Sequence, residues 1–352
     1  MIASTSQLED FLATCQPTSG DKRCAIDTEA DSLHRHKESL CLIQFSAGSE
    51  GVLIDPLAID DLSPLDRYLA DATVWMHGAD YDMTMLKREF GRLPHRVYDT
   101  QIGARLLGVE KFGLGNLVEH YFGVVISKSS QKADWGKRPL SPTMIEYALN
   151  DVRYLLEMSE KIVAQLVQAG RYDWFVESCE NAKSKVEERD DSKDDQWRIS
   201  GAGKLNPYSL ACLRALWHWR DKEAEAWDRP SFMVAPNRQL LEWAMLMSDD
   251  KPIKLPHHFR PDRIKRFKEM QEAVRDLPQS EWPSRPTGLR RKKDRDFDER
   301  VDALIARRNK IGNDLGIDGS LIASRSVIES LAAREAEPSS LLMKWQMQLL
   351  EL

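Results

Sequence analysis

At 352 residues the chain is too long for one ordinary domain and suits two or three. Its 50 Lys and Arg stand against 56 Asp and Glu, and the formal net charge of −6 by itself argues against a nucleic-acid partner. No uninterrupted apolar stretch approaches membrane-spanning length, and Met1–Gln7 lacks the basic start and apolar core of a signal peptide. A cytoplasmic protein with no membrane partner is expected.

The first informative element is the apolar run Cys24-Ala25-Ile26, closed by Asp27 and Glu29. Residues two apart on a strand point to the same face, so two carboxylates leave a buried strand side by side. Left alone they would repel and one would take up a proton; such a pair implies a divalent cation between them. His34 and His36 follow in a charged loop, where a lone His-x-His reads as exposed rather than as a second metal site. Further apolar runs at Leu40–Phe45 and Val52–Ile54 are separated by turn-like Gly48-Ser49-Glu50-Gly51, so the three runs read as two hairpins. Thr73-Val74-Trp75-Met76-His77 then reads as a strand turning at Gly78 into a helix through Met83, Leu86 and Phe90, with Asp82 in its first turn. Phe112 to Leu117 opens another helix through Tyr121, and its two glycines lack the spacing of a nucleotide-binding loop.

The clearest helix comes next. Ser141 suits an N-cap, Pro142 suits the first helical position, and Ile145, Leu149, Val152 and Leu156 repeat at helical spacing. Tyr147 and Asp151 are four apart and share a face, which sets a phenol one turn from a carboxylate. Taken singly, each feature has an ordinary reading. Asp-x-Glu occurs on solvated faces, Asp82 could complement a helix N-terminus, and Tyr147 could be a half-buried core residue. Taken together, in this order and within one domain length, Asp27, Glu29, Asp82, Tyr147 and Asp151 are what two-metal phosphodiester cleavage needs.

Between Lys183 and Asp195 the chain has almost nothing to bury, which marks a charged linker over 183–204. After it, Tyr208, Leu210, Leu213, Leu216, Trp217 and Trp219 begin an amphipathic helix, followed by Arg229 to Val234 and a second helix through Leu240, Leu241, Trp243 and Ala244. Pro283, Pro286 and Arg290-Arg291-Lys292-Lys293 suggest a flexible basic connection to a last helical segment within 298–352. From Lys251 to Lys310 there are 18 Lys and Arg against 10 Asp and Glu, a local +8 that leaves −14 elsewhere. That stretch could contact phosphates, or simply be a solvated helix surface. The five cysteines show no close pairs and no zinc-ligand spacing, as expected of reduced thiols.

On these residues the chain resembles the DEDD exonucleases in the subgroup with tyrosine in the third motif, and most of all its ribonuclease D branch. The resemblance extends to Leu40-Cys41-Leu42-Ile43-Gln44-Phe45, His77-Gly78-Ala79, Tyr98-Asp99-Thr100-Gln101 and the stretch from Lys128 to Pro139-Leu140. In the histidine subgroup the base lies five residues before the last aspartate, a position held here by Glu146. Relatives often carry a bulky apolar residue just after the glutamate, and an aromatic and a proline near His36, Lys37 and Glu38. Here Ala30 and Asp31 follow Glu29, so the resemblance leaves contacts to the terminal nucleotide around 30–39 unassigned.

The resemblance implies an α/β ribonuclease-H-like domain over 1–182, a mixed sheet with flanking helices and the site at one edge of it. It further implies an all-α HRDC domain over 205–285, with a second, degenerate HRDC-like domain over 286–352. The implied activity is 3′–5′ exoribonuclease hydrolysis releasing nucleoside 5′-monophosphates, on single-stranded or 3′-tailed RNA and tRNA precursors in particular, by a monomer. Asp27, Glu29 and Asp151 would hold the first of two Mg2+ ions, Asp27 would bridge to the second, and Asp82 would support the second through water. Mn2+ fits the same oxygen ligands. Tyr147 would orient the attacking water and help remove its proton. Two rival functions are a 3′–5′ DNA exonuclease and a non-catalytic RNA-binding scaffold. Against the scaffold, a pure binder has no use for a costly cluster of negative charge.

Overall fold

A computed structural model of the chain describes residues 1–15, 21–48, 50–127, 129–189, 195–284 and 294–352. Lys128, Pro286, the basic Arg290-Arg291-Lys292-Lys293 and residues 190–194 of the expected linker lie outside these. The chain divides into two compact units, one formed by Met1–Ala30, Leu40–Arg189 and Arg291–Leu352, the other by Asp31–Ser39 and Asp190–Arg290.

In the first unit, helix α1 (Thr5–Thr14) precedes strands β1 (Arg23–Ala30), β2 (Leu40–Ser46) and β3 (Gly51–Ile54). Helix α2 (Ser63–Ala70), strand β4 (Thr73–Met76), helix α3 (Asp80–Phe90) and strand β5 (Arg96–Asp99) follow. Helices α4 (Thr100–Leu106), α5 (Leu114–Phe122), α6 (Pro142–Arg153), α7 (Leu155–Gln168) and α8 (Tyr172–Glu187) complete this part. The sheet order is β3-β2-β1-β4-β5. Strand β1 runs antiparallel to β2, which is antiparallel to β3, while β4 is parallel to both β1 and β5. This is the expected mixed sheet with two hairpins. One expectation needs correction: Asp27 and Glu29 stand on β1, the central strand, and not at the edge. Strand order is fixed by long-range pairing, which local apolar runs do not encode.

The α6 helix forms as its sequence dictates: Ser141 Oγ accepts from the Met144 N–H at 3.2 Å, and Pro142 needs no donor at the first position. It ends one turn earlier than the apolar repeat suggested. Tyr154 separates it from α7, so Leu156 belongs to the next helix. The helix lies close over β3, where a Cβ on Gly51 would stand 3.0 Å from Val152 Cγ2, so a larger residue there would require the Val152 side chain to give way.

The charged segment also differs from its linker reading. Helix α8 continues to Glu187 because Val186 is buried and the Lys183 ammonium donates to the His95 carbonyl at 3.0 Å.

The last segment carries α13 (Phe297–Leu315), α14 (Gly319–Ile322), α15 (Arg325–Ala332), α16 (Pro338–Leu341) and α17 (Lys344–Leu350), numbered after the four helices of the second unit. Its Val301, Ile322, Ile328 and Trp345 share one buried cluster with Trp75, Leu155, Ile162 and Phe175. Trp345 stacks on Trp174 with centroids 5.1 Å apart and donates its indole N–H to Ser178 Oγ at 3.2 Å. These helices and the sheet therefore share a core.

The second unit holds α9 (Pro207–Trp227), α10 (Ser231–Val234), α11 (Asn237–Ser248) and α12 (Pro261–Arg275). Asn206 caps α9 by accepting from the Ser209 N–H at 2.8 Å. Trp219, Trp243 and Phe267 meet edge to face in its core, with Phe267 5.0 Å from Trp219 and 5.3 Å from Trp243. The Asp31–Ser39 segment belongs here: His36 Nε2 lies 2.8 Å from Asp221 Oδ1, and Arg229 donates to the His34 carbonyl at 3.0 Å. His36 is thus engaged with a carboxylate instead of lying exposed in its loop.

Candidate active site

The site is assembled from three elements of the first unit. Strand β1 contributes Asp27 and Glu29 on one face, and α6 crosses that face with Asp151. One carboxylate oxygen from each of Asp27, Glu29 and Asp151 lies within 4.8 Å of the others. Asp82 enters from the first turn of α3. Strand β1 pairs with β4 only from Arg23 to Ala25, so farther along β1 the Thr28 N–H has no strand partner on that side. Asp82 fills the gap: its Oδ1 accepts from the Thr28 N–H at 2.9 Å and from the Thr28 hydroxyl at 2.6 Å. The four expected carboxylates therefore come together.

The turn that places Asp82 is itself held. Gly78 has φ +70°, a conformation that favours glycine. The N–H groups of Gly78 and Ala79 donate to Asp99 at 2.9 and 3.0 Å, which fixes the start of α3 to the end of β5. Beside it, the Thr100 hydroxyl donates to the Met76 carbonyl at 3.1 Å and pairs with His77 Nδ1 at 3.0 Å.

Tyr147 sits one helical turn before Asp151, half-buried, with its ring 6.0 Å from that of the buried Trp135. Trp135 is fastened by Arg138, which donates to the Trp135 carbonyl at 2.7 Å, to the Cys41 carbonyl at 2.7 Å, and to both Asp55 oxygens at 2.7 and 2.6 Å. All these partners are distant in sequence from Arg138 or are backbone atoms, so neither Arg138 nor Asp55 announces the role. Thr28 was equally hidden, although its place between Asp27 and Glu29 was the available signal.

Electrostatically the site is frustrated. Burial raises the pKa of Asp27 well above the carboxylate range, and repulsion from Asp82, Asp151 and Glu29 adds to it. Glu29 is pushed up to about 9 by burial and then by Asp151 and Asp82. Asp151 is pushed up to about 7 by burial and by Asp82. Burial also raises Asp82 to about 7, against the hydrogen bonds from Thr28 that favour its charged form. The Tyr147 phenol is raised by burial and then by Asp151, Glu29 and Asp27, so its hydroxyl is neutral at physiological pH. An all-oxygen set that repels itself fits hard divalent cations, whose charge would offset the repulsion.

Fold and site together define a 3′–5′ exonuclease of the metal-dependent acidic class. A family profile described as 3′-5′ exonuclease matches residues 1–167, and one described as HRDC domain matches 209–251. Ribonuclease D of Xanthomonas oryzae is 29% identical over 364 residues, covering 99% of this chain and 96% of that protein. Ribonuclease D of Zymomonas mobilis is 30% identical over 341 residues, covering 94% and 82%. The crystal structure of Escherichia coli RNase D, described as an exoribonuclease involved in structured RNA processing, superimposes with a TM-score of 0.75 at 26% identity, covering 100% of this chain and 98% of that one. The chain belongs to the ribonuclease D family and is a 3′–5′ exoribonuclease with an HRDC domain.

Proposed function

We propose that Asp27, Glu29, Asp82 and Asp151 hold two Mg2+ ions, that Tyr147 orients the attacking water, and that the chain trims RNA from the 3′ end to nucleoside 5′-monophosphates. The convergence of Asp27, Glu29 and Asp151 within 4.8 Å carries this reading, because among the described residues no cationic side chain is placed there to neutralise them. Asp27, Glu29 and Asp151 would serve the first ion, and Asp27 and Asp82 the second. Bound cations supply an activated water and stabilise the leaving 3′-oxygen, and Mn2+ would satisfy the same ligands. The neutral Tyr147 hydroxyl can accept from that water while Trp135 and Arg138 keep its ring in place.

The substrates proposed are single-stranded or 3′-tailed RNAs, tRNA precursors foremost, cut by a monomer in the cytoplasm. Residues 1–182 would carry the chemistry and 205–285 the HRDC domain, with 286–352 as a degenerate second copy. Among the described residues no helix is long and apolar enough to cross a membrane. The test is digestion of matched RNA and DNA oligonucleotides with free and blocked 3′ ends, with Mg2+ and with chelator. Stepwise loss of 5′-monophosphates from free RNA ends, only with the cation, is expected. Internal cuts, or cleavage in chelator, would sink the proposal.

A further inference from the structure

Gln44 is a polar residue in the middle of β2, where every residue is buried, and it is itself fully buried. Both its Nε2 and its Oε1 lack a hydrogen-bond partner among the described residues. A buried carboxamide with neither group satisfied is unfavourable, and a leucine or methionine would fill the same space without that cost. The ladder shows what the residue faces. Gln44 stands directly opposite Asp27 in the antiparallel β1–β2 register, and opposite Leu53 in β2–β3. Directly opposed residues share a face of the sheet with Cβ atoms about 5 Å apart. Gln44 is therefore on the face that carries Asp27 and Glu29, under α6.

We propose that Gln44 is a positioning residue for the metal-holding carboxylates: its amide N–H donates to the Asp27 carboxylate and fixes its orientation when cations are bound. The inference rests on the assignment of Asp27 as a metal ligand. A carboxylate shared between two cations must present its oxygens in one orientation, and a neutral donor from the neighbouring strand supplies that constraint without adding or removing charge. A lysine or arginine there would instead compete with the cations. Such supporting donors around metal ligands are commonly worth about 10–100-fold in metal affinity or activity.

The test uses the full chain with Gln44→Met and, as a second variant of different shape, Gln44→Leu. Two quantities are read: the Mn2+ concentration at the midpoint of the cation-induced rise in melting temperature, which needs no catalysis, and the single-turnover rate on a short RNA. The expected result is a melting temperature in chelator equal to or above that of the parent. The Mn2+ midpoint should move up by about 10–100-fold, and the rate should fall by a similar factor at limiting cation, with KM for RNA unchanged. A midpoint and rate within about twofold of the parent in a folded variant would overturn the proposal, and so would a lowered melting temperature with an unmoved midpoint, which would make Gln44 structural. Asp27→Asn serves as the control: if it kept the cation response, the metal assignment itself would fall, whatever Gln44 does.

Discussion

Glu223 in the helical unit is 4% exposed, as buried as any carboxylate of the active site. Burial alone would raise its pKa, but hydrogen bonds from Arg266 and Arg263 outweigh burial and bring it below the usual range. Asp27, Glu29, Asp82 and Asp151 are pushed the other way, because the chain brings carboxylates together and supplies no cation among the described residues. Where a buried acid serves the fold, its counter-charge is covalently part of the protein. Where it is proposed to hold a cation, the counter-charge would be recruited, and metal-free stability would be given up for it.

The sharpest way to break this contrast is to neutralise one acid in each region. Asp27→Asn or Asp151→Asn should lower single-turnover hydrolysis by roughly a thousandfold or more, since the metal contribution amounts to several kcal/mol of barrier. The same variants should melt no lower than the parent in chelator, because repulsion is relieved. A variant of near-normal rate would remove the two-metal reading. Next in size is Tyr147→Phe, which keeps the ring against Trp135 and deletes the hydroxyl. Turnover should fall by about a hundredfold with KM nearly unchanged. A change in KM alone would make Tyr147 a substrate contact.

Much of this site was legible in the sequence because it rests on local periodicity. A spacing of two on β1 and of four on α6 sets the facing of Asp27 with Glu29 and of Tyr147 with Asp151. What was not legible depends on long-range pairing. Asp82 is anchored by Thr28, 54 residues away, and Arg138 meets Asp55 across 83 residues. Gln44 hid inside an apolar run because its importance comes from its register opposite Asp27. The central place of β1 is likewise a property of the whole sheet. The helices after residue 293 read as a separate bundle from their own pattern. Their Val301, Ile328 and Trp345 are core residues shared with α7 and α8, so a chain cut after the linker would expose Trp174 and Phe175.

Smaller effects sharpen the comparison from the structural side. Glu223→Gln should leave hydrolysis of a short RNA unchanged but cost roughly 2–3 kcal/mol of stability, the range for lost hydrogen bonds between charged groups. The pH dependence should differ in sign. Glu223 has a lowered folded pKa, so its stabilisation is present above the unfolded value of about 4.3 and is lost as pH falls through the folded value. The site acids have raised folded pKa values, so the metal-free protein should lose stability as pH rises from about 4 toward the values near 7 for Asp82 and Asp151 and 9 for Glu29. Thermal melts in chelator should show that decline in the parent and in Glu223→Gln, and a flatter curve in Asp27→Asn.

The smallest expected effect concerns which basic residues are available to RNA. The excess of Lys and Arg from Lys251 to Lys310 overstates what can bind phosphate, since Arg263 and Arg266 are spent on Glu223, Arg300 on Asp294, and Arg307 on Glu351. The run Arg290-Arg291-Lys292-Lys293 is the densest remaining candidate in sequence. Replacing these four by Ala should flatten the dependence of log affinity on log salt by about 0.7 for each phosphate of a single strand that the run had neutralised. Melting temperature should barely move, because a run of four charges has nothing apolar to bury and contributes little to stability. Arg263→Ala should do the reverse, lowering the melting temperature while leaving the salt slope unchanged. Equal slopes for the parent and the four-residue variant would show that this run does not capture RNA. A flattened slope in Arg263→Ala would show that an arginine paired with Glu223 still reaches phosphate, and the division between structural and recruited charge would then fail in the helical unit.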